Sequence, residues 1–184
     1  SSTSRGLGDV YKRQAGIQGV RTVSGDACEL DAVLTSFDAM LGKPVLFDTV
    51  FIDAPCSGTG TMRRHPEIPW RLTEKDVTTE LPRLQLTMLK EAAARVAAGG
   101  ELIYATCSVF DEENTQVVDA FLSSLEGADF SLAPLSEAQI LQLPDFAQAK
   151  KLVSVRQNDR GLFQSVPVNV DSYDGHFCAR LVHK

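Results

Sequence analysis

Residues 47–60 read FDTVFIDAPCSGTG, and this passage from Phe47 to Gly60 decides the fold. Its first half, Phe47 to Ile52, is a short run of β-branched and aromatic residues bounded by turn formers, the pattern of a strand buried in a sheet. Its second half, Asp53 to Gly60, is a loop by composition. The pattern recurs further along. Leu102 to Ala105 (LIYA) is a second short buried strand that runs into Thr106-Cys107-Ser108. Between the two, Leu84, Leu86, Met88, Leu89, Ala92, Ala93 and Val96 mark a helical stripe, and Gly99-Gly100 is expected to close that helix. Asp111 to Leu125 predicts another helix, with acids in its first turn and Val117, Val118, Phe121 and Leu122 on one face. Buried strands separated by helices describe an open α/β sheet, in which ligands bind beyond the carboxyl ends of the strands. Cys56 and Cys107 both fall at that edge.

Working outward, Val20 to Val23 is a short strand candidate ending in Ser-Gly-Asp-Ala. Leu30 to Leu41 reads as a loose helix or a loop closed by Gly42-Lys43-Pro44. Arg63 to Trp70 is polar and proline-rich, and residues 127–150 read as irregular, with Pro134 and Pro144. Leu152 to Val155, Leu162 to Val166 and Phe177 to Val182 are late strand candidates, with a turn at Ser172-Tyr173-Asp174-Gly175 between the last two. The first fourteen residues have no apolar period. They are expected to be a non-native or disordered leader, and residues 15–184 carry the fold.

At 184 residues, with 43% hydrophobic and 23% charged residues, the chain has the size and balance of one globular domain. No run approaches the ~20 apolar residues that cross a bilayer, and no membrane role is expected. The net charge of −6 makes the chain as a whole a poor grip for nucleic acid, so any such role needs a local patch. The four cysteines, Cys28, Cys56, Cys107 and Cys178, include no CxxC pair, and there are three histidines. No metal site is expected, and free thiols point to a cytoplasmic protein.

Cys107, just ahead of a predicted helix, sits where partial positive charge favours a thiolate, a strong nucleophile toward an electron-poor carbon. The plainer alternative for either Cys56 or Cys107 is a small buried hydrophobe. Cys178 alternates within the last strand and reads as core. Asp53 ends a buried strand, where a carboxylate orients an amine or shares a proton with a ring nitrogen, or else caps the loop. Asp26 could accept from an adenine amino group or a ribose, or could simply form a turn. Arg63, Arg64, His65 and Arg71 make a compact basic group that suits a phosphate backbone, with Trp70 available for stacking; a solvated loop is the alternative.

DAPCSGTG, RRHPEI, the Gly-Gly before LIYATCS, the DEEN that follows it and the closing DGHFCARL occur in an order that resembles the RNA cytosine-C5 methyltransferases of the Sun/RsmB type. His176 stands where that family usually has Phe. The resemblance implies a Rossmann-like class I fold that uses S-adenosylmethionine. It implies that Cys107 is the nucleophile that attacks C6 of the target cytosine. It makes Cys56 the group that assists release, Asp53 a residue between cofactor and base, and Asp26 a residue on the adenosine side. Arg63, Arg64 and His65 would face RNA, with bacterial 16S rRNA the expected substrate and a monomer the expected state. A tRNA cytosine-C5 methyltransferase and a non-catalytic Rossmann-like fragment that binds RNA or nucleotide are the alternatives; a thiol oxidoreductase fits poorly, because the cysteines lie in separate loops.

The family's glycine-rich cofactor loop and first strands are not found before Val20. The sheet is therefore expected to be incomplete on its N-terminal side, with the segment around Val20 lacking neighbours and an exposed edge on the DTVFID strand. On that expectation this chain alone binds S-adenosylmethionine weakly.

Overall fold

The computed structural model describes residues 22–136, 138–139, 157–167 and 173–184. In chain order the described elements are helix α1 (Leu30–Leu41), strand β1 (Phe47–Asp53), a 3-10 turn (Thr59–Thr61) and the short helix α2 (Ile68–Arg71). A π turn (Asp76–Glu80) leads into helix α3 (Leu81–Ala93), which is followed by strand β2 (Val96–Thr106), a second 3-10 turn (Asp111–Glu113) and helix α4 (Thr115–Leu122). Strands β3 (Phe130–Leu132), β4 (Phe163–Ser165) and β5 (His176–His183) complete the set.

The strands form one mixed sheet in the order β1-β2-β5-β3, with β4 also paired to β5. Strands β1 and β2 are parallel, with Asp53 opposite Ala105, whereas β5 runs antiparallel to β2, with Tyr104 opposite Ala179. This register puts Val50, Ile52, Leu102, Tyr104, Phe177, Ala179 and Leu181 on one face. That face packs against Leu89, Ala92 and Ala93 of α3 and Val117, Val118 and Phe121 of α4 in a single core. Tyr104 meets Phe177 edge-on at 6.2 Å and Phe121 meets Phe130 at 5.5 Å. Burying a side chain such as Phe121 contributes about 1.5–3 kcal/mol. The opposite face is half-covered, and Phe51 on β1 is 62% exposed. Among the described residues β1 pairs with β2 alone and is an edge strand.

Helix α1 buries none of its residues. It is tied down electrostatically: Arg95, whose side chain is 5% exposed, donates through Nη2 to Asp31 at 2.6 Å and through Nη1 to Asp38 at 3.0 Å.

Several expectations need correcting. Gly99-Gly100 does not close the helix. Helix α3 ends at Ala93, and the glycines lie inside β2 at a shift in register between Phe47–Val96 and Thr49–Glu101. Gly99 has φ +75, and a Cβ on Gly100 would sit 2.9 Å from the Asp48 carbonyl, so the irregularity needs glycine there. Val96 consequently belongs to the strand, while Leu84 is 38% exposed. The predicted helix over 111–125 is divided at Asn114, whose φ −112 and ψ −98 are not helical because its side chain is engaged elsewhere. Phe130–Leu132 forms a strand inside the stretch read as irregular; it is too short for alternation to reveal. Of the Val20 to Val23 candidate, Thr22 and Val23 form no strand and Val23 is 49% exposed, and no strand among the described residues pairs with them. Val20, Leu152 to Val155, Ser172 and the first fourteen residues lie outside the described residues.

Candidate active site

The parallel pairing of β1 and β2 brings two loops out of the same sheet edge. The ladder continues one step further, where the Ala54 N–H donates to the Ala105 carbonyl at 2.9 Å. The chains then diverge and are drawn together again where the Gly60 N–H donates to the Cys107 carbonyl at 2.8 Å. Between these two ties the sulfurs of Cys56 and Cys107 stand 3.2 Å apart, and the Cys107 N–H points at Cys56 Sγ from 3.3 Å. Both thiols are free and half-buried. Burial, reinforced by the hydrogen bond between the two thiols, pushes the Cys56 thiol up to about 12, so it holds its proton at neutral pH.

Beneath the thiols lies a polar network that the sequence reading missed. Glu113, fully buried, accepts from the Ser57 N–H at 2.8 Å, from Gln85 Nε2 at 3.0 Å and from the Ser108 hydroxyl at 2.7 Å. Gln85 also donates to the Pro55 carbonyl at 2.9 Å. Asn114 accepts from the Thr106 hydroxyl at 2.6 Å and donates to the Ser108 carbonyl at 3.0 Å. Tyr104 donates to the Glu113 carbonyl at 2.6 Å, and burial raises its phenol well above the usual range. Gln85 Oε1 is left buried without a partner, a cost of about 1–3 kcal/mol. Glu113 and Asn114 belong to the DEEN motif, whose acids read from sequence as an ordinary helix start. Gln85 interrupts an apolar stripe, and that interruption was the available clue.

Asp53, at the carboxyl end of β1, is exposed and has no hydrogen-bond or ion-pair partner among the described residues. Asp26 is also exposed, and its Oδ1 accepts from the Cys28 N–H at 2.9 Å, the turn-forming alternative. The basic group is partly engaged. Arg64 donates through Nε to Asp174 at 2.7 Å, Arg63 reaches the same carboxylate at 3.4 Å, and His65 faces Glu67 at 3.4 Å. Trp70 is 89% exposed. Cys178 lies half-buried on the less covered face of β5 rather than in the core, and desolvation raises its thiol. Helix α4 begins only at Thr115, so a 3-10 turn separates it from Cys107. A cavity of about 340 Å³ opens beside the Cys56 loop, lined by Thr59, Met62, Leu72, Val77 and Phe110 among others. Among the described residues no group of His, Cys, Asp or Glu could hold a metal, and no helix is long and apolar enough to cross a membrane.

A Rossmann-like α/β sheet delivers one thiol from each of two adjacent parallel strands, and its likeness to solved structures gives the class, the methyltransferase fold. The crystal structure of PH0851 shares that fold at a TM-score of 0.71 and 29% identity, covering 94% of this chain and 33% of that one. A methyltransferase homolog from Pyrococcus horikoshii superposes at 0.68 with 20% identity over 100% of this chain and 51% of its own. NSun6 from the same organism, solved with SFG, superposes at 0.66 with 22% identity over 95% of this chain and 37% of its own. The family model described as 16S rRNA methyltransferase RsmB/F matches residues 10–181, and the chain belongs to that family. Curated relatives include the ribosomal RNA small subunit methyltransferase B of Klebsiella pneumoniae strain 342, 45% identical over 83 residues, which are 45% of this chain and 19% of that protein. The same-named protein of Salmonella arizonae is 46% identical over 85 residues, 46% of this chain and 20% of its own length. The matched segments thus span about a fifth of these relatives.

Proposed function

We propose that residues 15–184 are part of a catalytic domain that methylates C5 of cytosine in RNA, with 16S rRNA as substrate and S-adenosylmethionine as methyl donor. The observation that carries this reading is the 3.2 Å approach of Cys56 Sγ to Cys107 Sγ at the carboxyl edge of the sheet. Cytosine C5 is a poor nucleophile until a thiolate adds across the 5,6 bond, and the resulting adduct must later be broken. The chemistry therefore calls for one thiol to attack and a second group beside it. S-adenosylmethionine, when bound, supplies an electrophilic methyl group on a sulfonium. The donor set suits it: Asp53 is an exposed carboxylate without a side-chain partner among the described residues, and Asp26 is a second, exposed and partly engaged in its turn.

The Cys107 thiolate adds to C6 and pushes the 5,6 electron pair toward C5 and N3, and a proton shared between Asp53 and N3 would balance that charge. C5 would then take the methyl group as its bond to the sulfonium breaks, leaving a neutral thioether. To finish, the C5 proton passes to water, the C5–C6 double bond re-forms and the C6–S bond breaks. Cys56, a thiol 3.2 Å from Cys107 Sγ, hydrogen-bonds the departing sulfur and steadies it as the thiolate that begins the next cycle. The target base must leave its stack to reach this edge. Arg63, Arg64 and His65, with exposed Trp70 beside them, form the local patch that an acidic chain needs to hold RNA. Free thiols fit a cytoplasmic setting.

The same sulfur pair would also serve a dithiol oxidoreductase, and one experiment on the full-length protein separates the two readings. Cys56→Ala should accumulate a covalent RNA adduct that survives denaturing electrophoresis, and Cys107→Ala should abolish both adduct and methylation. Methylation by Cys107→Ala would sink the assignment, and a Cys56–Cys107 disulfide that turns over with a dithiol would favour the oxidoreductase.

A further inference from the structure

We infer that Glu113 is a positioning residue that sets the distance between the two sulfurs by clamping the residue that follows each cysteine. The inference rests on the reading of Cys56 and Cys107 as the working pair. Ser57 and Ser108 are the immediate successors of those cysteines, and both are tied to the one carboxylate: the Ser57 backbone N–H to Oε2 at 2.8 Å, the Ser108 hydroxyl to Oε1 at 2.7 Å. The two serine hydroxyls also meet at 3.1 Å, which closes a ring through Glu113. Gln85 braces the ring from α3, with one amide group bonded to both Glu113 Oε2 and the Pro55 carbonyl. Glu113, Gln85 and Ser108 are each 0% exposed.

The clamp acts where the backbone ladder is interrupted: it stops at Ala54 and Ala105, and the next backbone tie is at Gly60. Between them the loops also meet through the Cys107 N–H at Cys56 Sγ, the Ser57 and Ser108 hydroxyls and the Val109 N–H at the Thr59 hydroxyl, and Glu113 is the group that holds both residues next to the cysteines at once. A loosening of about 1 Å at a reacting group can cost on the order of 100-fold in rate. A carboxylate is suited to the task because it accepts from three neutral donors without donating anything itself. Its partners are a backbone amide, a side-chain amide and a hydroxyl, so no cation is drawn into the site.

The test reads the sulfur separation directly and uses neither RNA nor methyl donor. Its failure is therefore distinct from failure of the proposed reaction. In a Cys28→Ser, Cys178→Ser background, dibromobimane joins two neighbouring thiols by forming two S–C bonds and releasing two bromides, and the bridged product fluoresces. The parent should cross-link rapidly, and a further Cys56→Ser change should remove the signal. Glu113→Ala, measured well below its melting temperature and with unchanged far-ultraviolet circular dichroism, should cross-link about tenfold or more slowly. Glu113→Gln should recover most of the rate, because its amide oxygen can still accept from Ser57 and Gln85 while its NH2 meets the Ser108 oxygen. A role in stability alone would lower the melting temperature of Glu113→Ala and leave the cross-linking rate unchanged, and that result would overturn the inference. Should Glu113→Ala not fold, Ser108→Ala decides the matter: slower cross-linking supports the clamp, and an unchanged rate refutes it.

Discussion

Gly60 and Gly175 lie backbone against backbone, the Gly175 N–H donating to the Gly60 carbonyl at 2.8 Å. A Cβ on Gly60 would fall 2.1 Å from the Gly175 carbonyl oxygen, and a Cβ on Gly175 would fall 2.8 Å from the Gly60 Cα. The contact joins the loop after β1 to the turn before β5. Since Gly60 also donates to the Cys107 carbonyl, three separate motifs meet at one peptide.

Gly60→Ala must push these backbones apart. The expected cost is about 1–3 kcal/mol, the range for overpacking a tight site, read from the urea unfolding midpoint. Thiol cross-linking between Cys56 and Cys107 should slow in the same variant. An Ala at Gly60 that leaves both readouts unchanged would show that this contact is not rigid.

Asp174 neutralises the arginines proposed to meet RNA. Its carboxyl is held below the usual range, first by the hydrogen bond from Arg64 and then by burial-opposed charge attraction to Arg64 and Arg63. Asp174→Asn keeps the shape and removes the charge. RNA binding, followed by fluorescence anisotropy with a small-subunit rRNA stem-loop, should tighten about threefold at low salt, and the gain should shrink as salt rises. An affinity unchanged at every salt concentration would remove Arg63 and Arg64 from the RNA surface.

Cys56 makes a defined prediction for alkaline pH. Its thiol is raised from 9.0 to about 12 in the folded chain, chiefly by burial, so the unfolded chain loses this proton first. The group's contribution to stability is therefore fully present below about pH 9 and is lost as pH rises toward about 12. Cys56→Ser should flatten that part of the stability profile. Cys107→Ala removes the hydrogen bond and the charge coupling that also raise Cys56, so the Cys56 thiolate should appear at lower pH in ultraviolet absorbance. A profile identical in wild type and Cys56→Ser between pH 9 and 12 would contradict the assignment.

Helix α1 should loosen without its ion pairs, because none of its side chains is fully buried and residues such as Leu30 pack only partly against the core. Asp38 accepts from Arg95 and also from the Val45 N–H at 2.7 Å, and these bonds hold its carboxyl below the usual range. Asp38→Ala should leave Arg95 short of a partner and open residues 30–41 to protease about tenfold faster, with the sheet still folded. High salt should act in the same direction. Equal cleavage rates in wild type and variant would mean that α1 is held by something else.

Local pattern alone determined much about this protein. The runs at Phe47 to Ile52, Leu102 to Ala105 and Phe177 to Val182 are strands because each is a short stretch rich in aromatic, β-branched and other apolar residues. The placement of both cysteines just past parallel strands followed from the helix between them. Tertiary structure decided the rest. The 3.2 Å between Cys56 and Cys107 spans 51 positions of chain, and the bond from Arg64 to Asp174 spans 110. The conversion of Gly99-Gly100 from a helix stop to a strand irregularity depended on the pairing of Phe47 with Val96. Glu113 could be read only as a helix-start acid until the fold set it between two serines 51 residues apart. Hydrophobic periodicity is a property of neighbours along the chain, whereas a hydrogen bond between distant loops depends on where a whole sheet places their ends.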